Sequence, residues 1–219
     1  SRHGFARDNM FETKQTAATS AIFKLHNDAA TFSVYPFEFI FQVQYEIKQT
    51  TLFCSYLVQN VDQKDMYFSV GGHPAFRLPL NDKLTYTDYK LAFDNDSALQ
   101  RFLLKDGLIN GTTETLVLED KKLPLKPSLF YNDAIVLKHI NSKQIELFTD
   151  KDPHGLKLMF EGFPYFGIWA AKDAPFVCLE PWCGIADNVH HNGQLINKEG
   201  INQLAAGATW RRTWCIELF

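Results

Sequence analysis

The sequence predicts an all-β protein of antiparallel strands, folded as a sandwich or a barrel. Three observations carry that expectation. Apolar and polar residues alternate with period two in one segment after another. Turn residues separate these segments at short intervals. Helical periodicity is scarce, while 14% of the residues are aromatic and 19 are phenylalanine, a composition that favours strands.

The first clear strand is FEFIFQVQYEIKQ, residues 37–49. Phe37, Phe39, Phe41, Val43, Tyr45 and Ile47 take one face, and a mostly polar set takes the other. TTLFCSYLVQNV follows as a second strand, and DMYFSV as a third that runs into Gly71 and Gly72. The polar stretch from Asn81 to Asp96 reads as an excursion from the sheet, and residues 97–104 as a short helical turn. DAIVLKHI and KQIELFTD are two more strands, joined at Asn141-Ser142 in a hairpin-like connection. GLKLMFEG, FGIWAA and APFVCLE come next. LINKEGINQLAAG holds one short helical turn before Gly207. TWRRTWCIELF ends the sequence, with Trp210, Arg212, Trp214, Ile216 and Leu218 on one face. There is no internal repeat, low-complexity tract or linker, so residues 1–219 are expected to form one domain.

Composition narrows the function. The formal charge is −3, from 22 basic and 25 acidic residues spread along the chain. No basic run matches a nucleic-acid footprint, and no apolar segment has membrane-spanning length. Cys54, Cys178, Cys183 and Cys215 lack CxxC spacing. They read as buried free thiols in a reducing compartment, the cytoplasm.

Five places can carry chemistry. In SVGGHPAFRL, two glycines permit a sharp turn or a close approach, and Pro74 biases His73 towards extended geometry. His73 is either a turn histidine bonded to a carbonyl or a reacting group on a stiff backbone. In APFVCLEPWCGIADN, a strand delivers Glu180 to low-dielectric surroundings, Pro181 is expected to stop the ladder, and Trp182 can cover a sugar face. A pairing of Glu180 with Arg211 or Arg212 is the plain structural alternative. HGFARD offers His3, Arg7 and Asp8. Arg7 can grip a hydroxyl or phosphate, or the segment is a solvated terminus. Asp133 precedes a strand in an Asn-Asp pair typical of turns. His190-His191 is a poor metal pair, because adjacent residues on a strand face opposite ways.

Taken together, HGFAR at 3–7, GGHPAF at 71–76, the Asn-Asp of FYNDA at 132–133 and LEPWCGIAD at 179–187 resemble the aldose 1-epimerase (mutarotase) family, in its LacX-like branch. They occur in the family's order along nearly the whole chain. The resemblance implies a large antiparallel β-sandwich of the galactose mutarotase-like type. It implies Glu180 as general base and His73 as general acid, with His3 and Asp133 binding substrate. Arg7 and Trp182 are added as substrate contacts on the chemistry of the residues themselves. In the family, strands bearing a further substrate arginine precede HGFAR, so the chain is expected to lack an N-terminal portion of its sheet.

The implied reaction interconverts hexose anomers through ring opening, with a free or phosphorylated hexose as substrate. It needs two positioned proton transfers and no cofactor or metal. Three other readings compete. A non-catalytic sugar-binding protein would use the same rings and the same carboxylate. A cupin-like metal isomerase would use His73, Glu180 and His190-His191, but lacks the H-x-H spacing of such ligands. A glycosidase would need a second carboxylate, for which only Asp133 offers itself.

Overall fold

The computed structural model describes residues 3–219. After a short 3-10 turn at Ala6–Asp8, strands β1 (Glu12–Ala17) and β2 (Ser20–His26) form a hairpin. Helix α1 (Ala29–Val34) follows. Its start is fixed by Asp28, whose side chain accepts from the Thr31 backbone at 2.7 Å. The strands β3 (Phe39–Lys48) and β4 (Thr51–Asn60) come next, then the short β5 (Met66–Phe68), β6 (Val70–Gly71) and β7 (Ala75–Arg77). β8 (Lys90–Phe93), β9 (Ala98–Lys105), β10 (Leu108–Val117) and β11 (Lys122–Pro124) lead to β12 (Ile135–Lys138). Last come β13 (Gln144–Thr149), β14 (Asp152–Met159), β15 (Tyr165–Trp169), β16 (Phe176–Cys183), β17 (Asn202–Leu204) and β18 (Thr209–Leu218).

Sixteen of these strands make two large antiparallel sheets, and β5 and β17 pair in a small third one. One has nine strands in the order β1-β2-β3-β4-β18-β14-β13-β8-β11. The other has seven, β10-β9-β12-β15-β16-β6, with β7 also paired to β16. Between them lies the core, because each sheet turns one alternate set of apolar side chains towards the other. Tyr56, Leu91, Leu147, Leu158, Trp214 and Ile216 come from the first sheet. Leu99, Leu137, Phe166, Ile168, Val177 and Leu179 come from the second. The Phe160 and Phe166 rings meet across the layers, centroids 4.4 Å apart. The fold is therefore the sandwich and not the barrel.

Register decides what the outer face of the seven-stranded sheet carries. Leu179 pairs with Ile168, and Ile168 with Ile135, all core-facing. The alternate set, Glu180 opposite Gly167 and Gly167 opposite Val136, therefore points away from the core.

Several expectations need correction. Residues 133–140 and 143–150 are not a hairpin: β12 and β13 lie in different sheets. Asn141 and Ser142 carry the chain across, tied down by the buried Asp96 carboxylate, which accepts from the Ser142 backbone at 2.8 Å. Residues 97–104 form strand β9. Ala98, Gln100 and Lys105 of that strand are exposed, but Arg101 takes a buried position and Phe102, Leu103 and Leu104 run together, so no clean polar alternation marks it. The stretch from Asn81 to Asp96 includes β8, inside the nine-stranded sheet. Pro181 does not stop the ladder. It pairs opposite Phe166 while its carbonyl accepts from Gly72. A 3-10 turn occurs at Leu195–Asn197 before Gly207, but β17 follows it. The segments of β1, β2 and α1 carry weak patterns. Every residue of β1 is exposed, and its polar side chains suit a sheet edge. Among the described residues, no helix is long and apolar enough to cross a membrane.

Candidate active site

β16 places Phe176, Cys178, Glu180 and Trp182 in a row on the outer face of the seven-stranded sheet. The edge segment of β6 and β7 runs antiparallel beside them. Gly71 pairs with Trp182 and Ala75 with Cys178. The same register, carried to the residue midway, sets His73 directly opposite Glu180. Its Nδ1 lies 3.5 Å from Glu180 Oε1. Backbone bonds from Gly72 to the Pro181 carbonyl and from Leu179 to the Pro74 carbonyl hold the two segments in step.

The glycines serve close approach, not a sharp turn. A Cβ on Gly72 would stand 2.9 Å from Trp214 Nε1 and 3.2 Å from the Tyr56 hydroxyl. A Cβ on Gly71 would stand 2.6 Å from Trp182 Cδ1, and one on Gly167 only 2.3 Å from Trp182 Cζ2. The Trp182 indole thus lies flat across two bare backbone positions, as a half-buried floor next to Glu180. Trp169, opposite Cys178 on β15, meets the His73 ring edge-on at 5.9 Å and packs on Phe176 at the same distance.

Electrostatics separate the two central groups. The Glu180 side chain is 6% exposed, and burial pushes its pKa up to about 7, against a weaker opposing hydrogen bond from Trp182. The His73 side chain is 41% exposed. Burial lowers its pKa, with further lowering from the positive charges of His3 and Arg7. Burial holds the Cys178 thiol at about 12, with Glu180 adding to the shift. All four cysteines are free, three of them buried.

The N-terminal segment reaches this cleft. Phe5 packs on Tyr35 and Phe39, at 5.4 and 5.8 Å, and so anchors HGFAR to the nine-stranded sheet. The His3 ring lies 5.7 Å from that of His73. Arg7 sits 61% exposed beside Asp8, which is also exposed. Asp133 stands at the head of β12, next to β15 and so two strands from β16. Its φ is 114°, its carboxylate accepts from the Ala134 backbone, and its carbonyl accepts from the buried Arg101 at 2.9 Å. Asn132, Asp133, Arg101 and Glu114 line a small pocket separate from the His73–Glu180 pair. His190 and His191 line another, formed by the loop after β16. That loop is tied to the sheet by Lys138, which bonds Glu199 at 2.7 Å. Arg211 and Arg212 are engaged by Ser55 and by the Gly162 carbonyl, away from Glu180.

Sequence reasoning missed Trp169 and Cys178. Both stand two residues from a site position on their strands, at Gly167 and Glu180, so period two was the signal available for them. The arrangement can exchange protons with a polyhydroxylated ligand held between an imidazole and a carboxylate over an indole floor.

The family model described as Aldose 1-epimerase matches residues 1–210. Over 222 residues the chain is 29% identical to the chromosomal Protein LacX of Lactococcus lactis subsp. lactis, a match covering 99% of this chain and 74% of that protein. A galactose mutarotase related enzyme from Lactobacillus acidophilus has a similar structure, with a TM-score of 0.92 and 30% identity over 99% of this chain and 73% of that one. A galactose mutarotase-like protein from Lactobacillus casei ATCC 334 gives 0.89 and 30%, over 100% and 76%. The chain thus spans about three quarters of the length of these relatives.

Proposed function

The chain belongs to the aldose 1-epimerase family, and on that premise we propose that it interconverts the α and β anomers of a hexose, with Glu180 as general base and His73 as general acid. The observation that carries this reading is the cross-strand pair itself, His73 Nδ1 at 3.5 Å from Glu180 Oε1 in a cleft floored by Trp182.

The chemistry follows from the residue types. The Glu180 carboxylate takes the proton of the anomeric hydroxyl O1. The C1–O5 bond breaks, C1 and O1 become an aldehyde, and O5 takes a proton from the His73 imidazolium. Rotation about C1–C2 and closure with the roles reversed give the other anomer. Each positioned transfer typically contributes roughly a hundred- to ten-thousand-fold in rate. Trp182 offers a ring face, while His3 and Arg7 supply polar groups for hydroxyls or a phosphate.

Polarimetry of freshly dissolved α-D-glucose and α-D-galactose tests the proposal, and the same assay on hexose 6-phosphates decides between free and phosphorylated substrates. E180Q is expected to lower the rate about a hundredfold or more, and H73N to slow it severely. Near-parental rates in folded E180Q would sink the assignment. Sugar binding without any rate in the parent chain would favour a carbohydrate-binding protein instead.

A further inference from the structure

Glu180 and His73 are not the only donors in the cleft. Cys178 stands two residues before Glu180 on the same face of β16. Its sulfur, one His73 ring nitrogen and one Glu180 carboxylate oxygen all lie within 4.8 Å of one another. We propose that these three side chains form a binding site for a borderline-soft divalent cation such as zinc, and that the bound ion blocks sugar from the cleft.

The donor set carries the choice of ion. One thiolate sulfur, one imidazole nitrogen and one carboxylate oxygen suit zinc, cobalt(II) or cadmium, not the all-oxygen shells of magnesium or calcium. Tetrahedral zinc with ordinary bond lengths spaces such donors about 3.3–3.6 Å apart. The His73–Glu180 edge already measures 3.5 Å. The other two edges are no longer than 4.8 Å, and the imidazole has room to turn towards the ion because its side chain is 41% exposed. Cys178 and Glu180 are buried on the strand behind it and need not move far. The exposed side is left for a fourth ligand, water. Binding releases to solvent the Cys178 thiol proton and the proton held by the Glu180 carboxyl, and the bonds to the ion replace them. His190 and His191 take no part, since they line the separate pocket in the loop after β16.

The ion would occupy both proton-transfer groups at once, so sugar and metal should exclude each other. The blocking, though not the binding, rests on the proposed acid–base roles of Glu180 and His73. Two measurements on the full 219-residue chain keep these apart. The first is titration with cobalt(II), read by absorbance. A saturable thiolate-to-cobalt charge-transfer band in the near ultraviolet, at one ion per chain, is expected in the parent and absent from C178S. The second is mutarotation in the presence of zinc. Inhibition should be competitive with sugar and reversed by a chelator. C178S should need about 10- to 100-fold more zinc for the same fractional loss of its own metal-free rate, since even outer-shell partners are worth that much. Absence of the cobalt band, a band that survives in C178S, or equal zinc sensitivity in C178S would overturn the site. Activation by zinc would overturn the blocking. A cobalt band together with normal mutarotation in E180Q would leave the site standing and sink the catalytic assignment alone.

Discussion

In the proposed mechanism Glu180 and His73 share the proton traffic in the cleft, and their environments set how. Burial raises Glu180 to about 7, and burial with the nearby His3 and Arg7 charges lowers His73. As pH falls below about 7 the pair therefore takes up a proton, which favours the carboxyl. Carboxylate with imidazolium is the same pair with that proton moved across 3.5 Å, so the reactive form needs no exchange with solvent. The profile of kcat/KM against pH is expected to be a bell with its maximum below 7 and its alkaline flank near 7, where the pair loses its last proton. A flat profile from pH 5 to 9 would contradict the pairing. The same shift has a stability cost. Between the usual 4.5 and about 7, the folded chain keeps a proton that the unfolded chain has released. Stability therefore falls as pH rises through that window, by roughly 2–4 kcal/mol in total. E180Q should raise the melting temperature at pH 8 and leave it nearly unchanged at pH 4. An equal shift at both pH values would show that the gain has nothing to do with ionisation.

At the scale of elements, β15 and β16 build the floor of the site. Gly167 leaves the space that the Trp182 indole fills, and an added methyl would lie 2.3 Å from its ring. Overpacking of this kind typically costs about 1–3 kcal/mol. Gly167→Ala is expected to lose that much in urea unfolding and to lower the mutarotation rate, because the indole must leave its place beside Glu180. A variant as stable and as active as the parent would show that the floor adapts. The long strands β3, β4 and β18 were legible because their residue types alternate with period two, although Tyr45 and Ile47 of β3 end up exposed and no residue of β4 does. β9 was not, because Arg101 takes a buried position and Phe102, Leu103 and Leu104 run together, which blurs the period. Nor was the crossing at Asn141 and Ser142. A turn dipeptide reads the same whether its strands pair or part, and only the buried Asp96 and the two flanking sheets distinguish the cases.

Over the whole molecule, stability comes from the layer between the two sheets, and the site lies outside it. Phe166 sits in that layer, fully buried and stacked on Phe160. Phe166→Ala should cost about 3–5 kcal/mol, read as a fall in the urea midpoint at unchanged slope. A loss below about 1 kcal/mol would mean that the layer collapses around the gap. The alternating pattern by itself determined that the chain is all-β and antiparallel, because burying one face of a strand leaves a period that no helix shares. Four short motifs by themselves determined the family resemblance and named His73 and Glu180. The choice of sandwich over barrel, and the sheet to which each strand belongs, were decided only in the tertiary structure, because period two records that a face is buried but not against what. It alone set His73 opposite Glu180 with Cys178 beside them. Register between strands distant in sequence is fixed by hydrogen bonds and by packing, and no local pattern of residues encodes it.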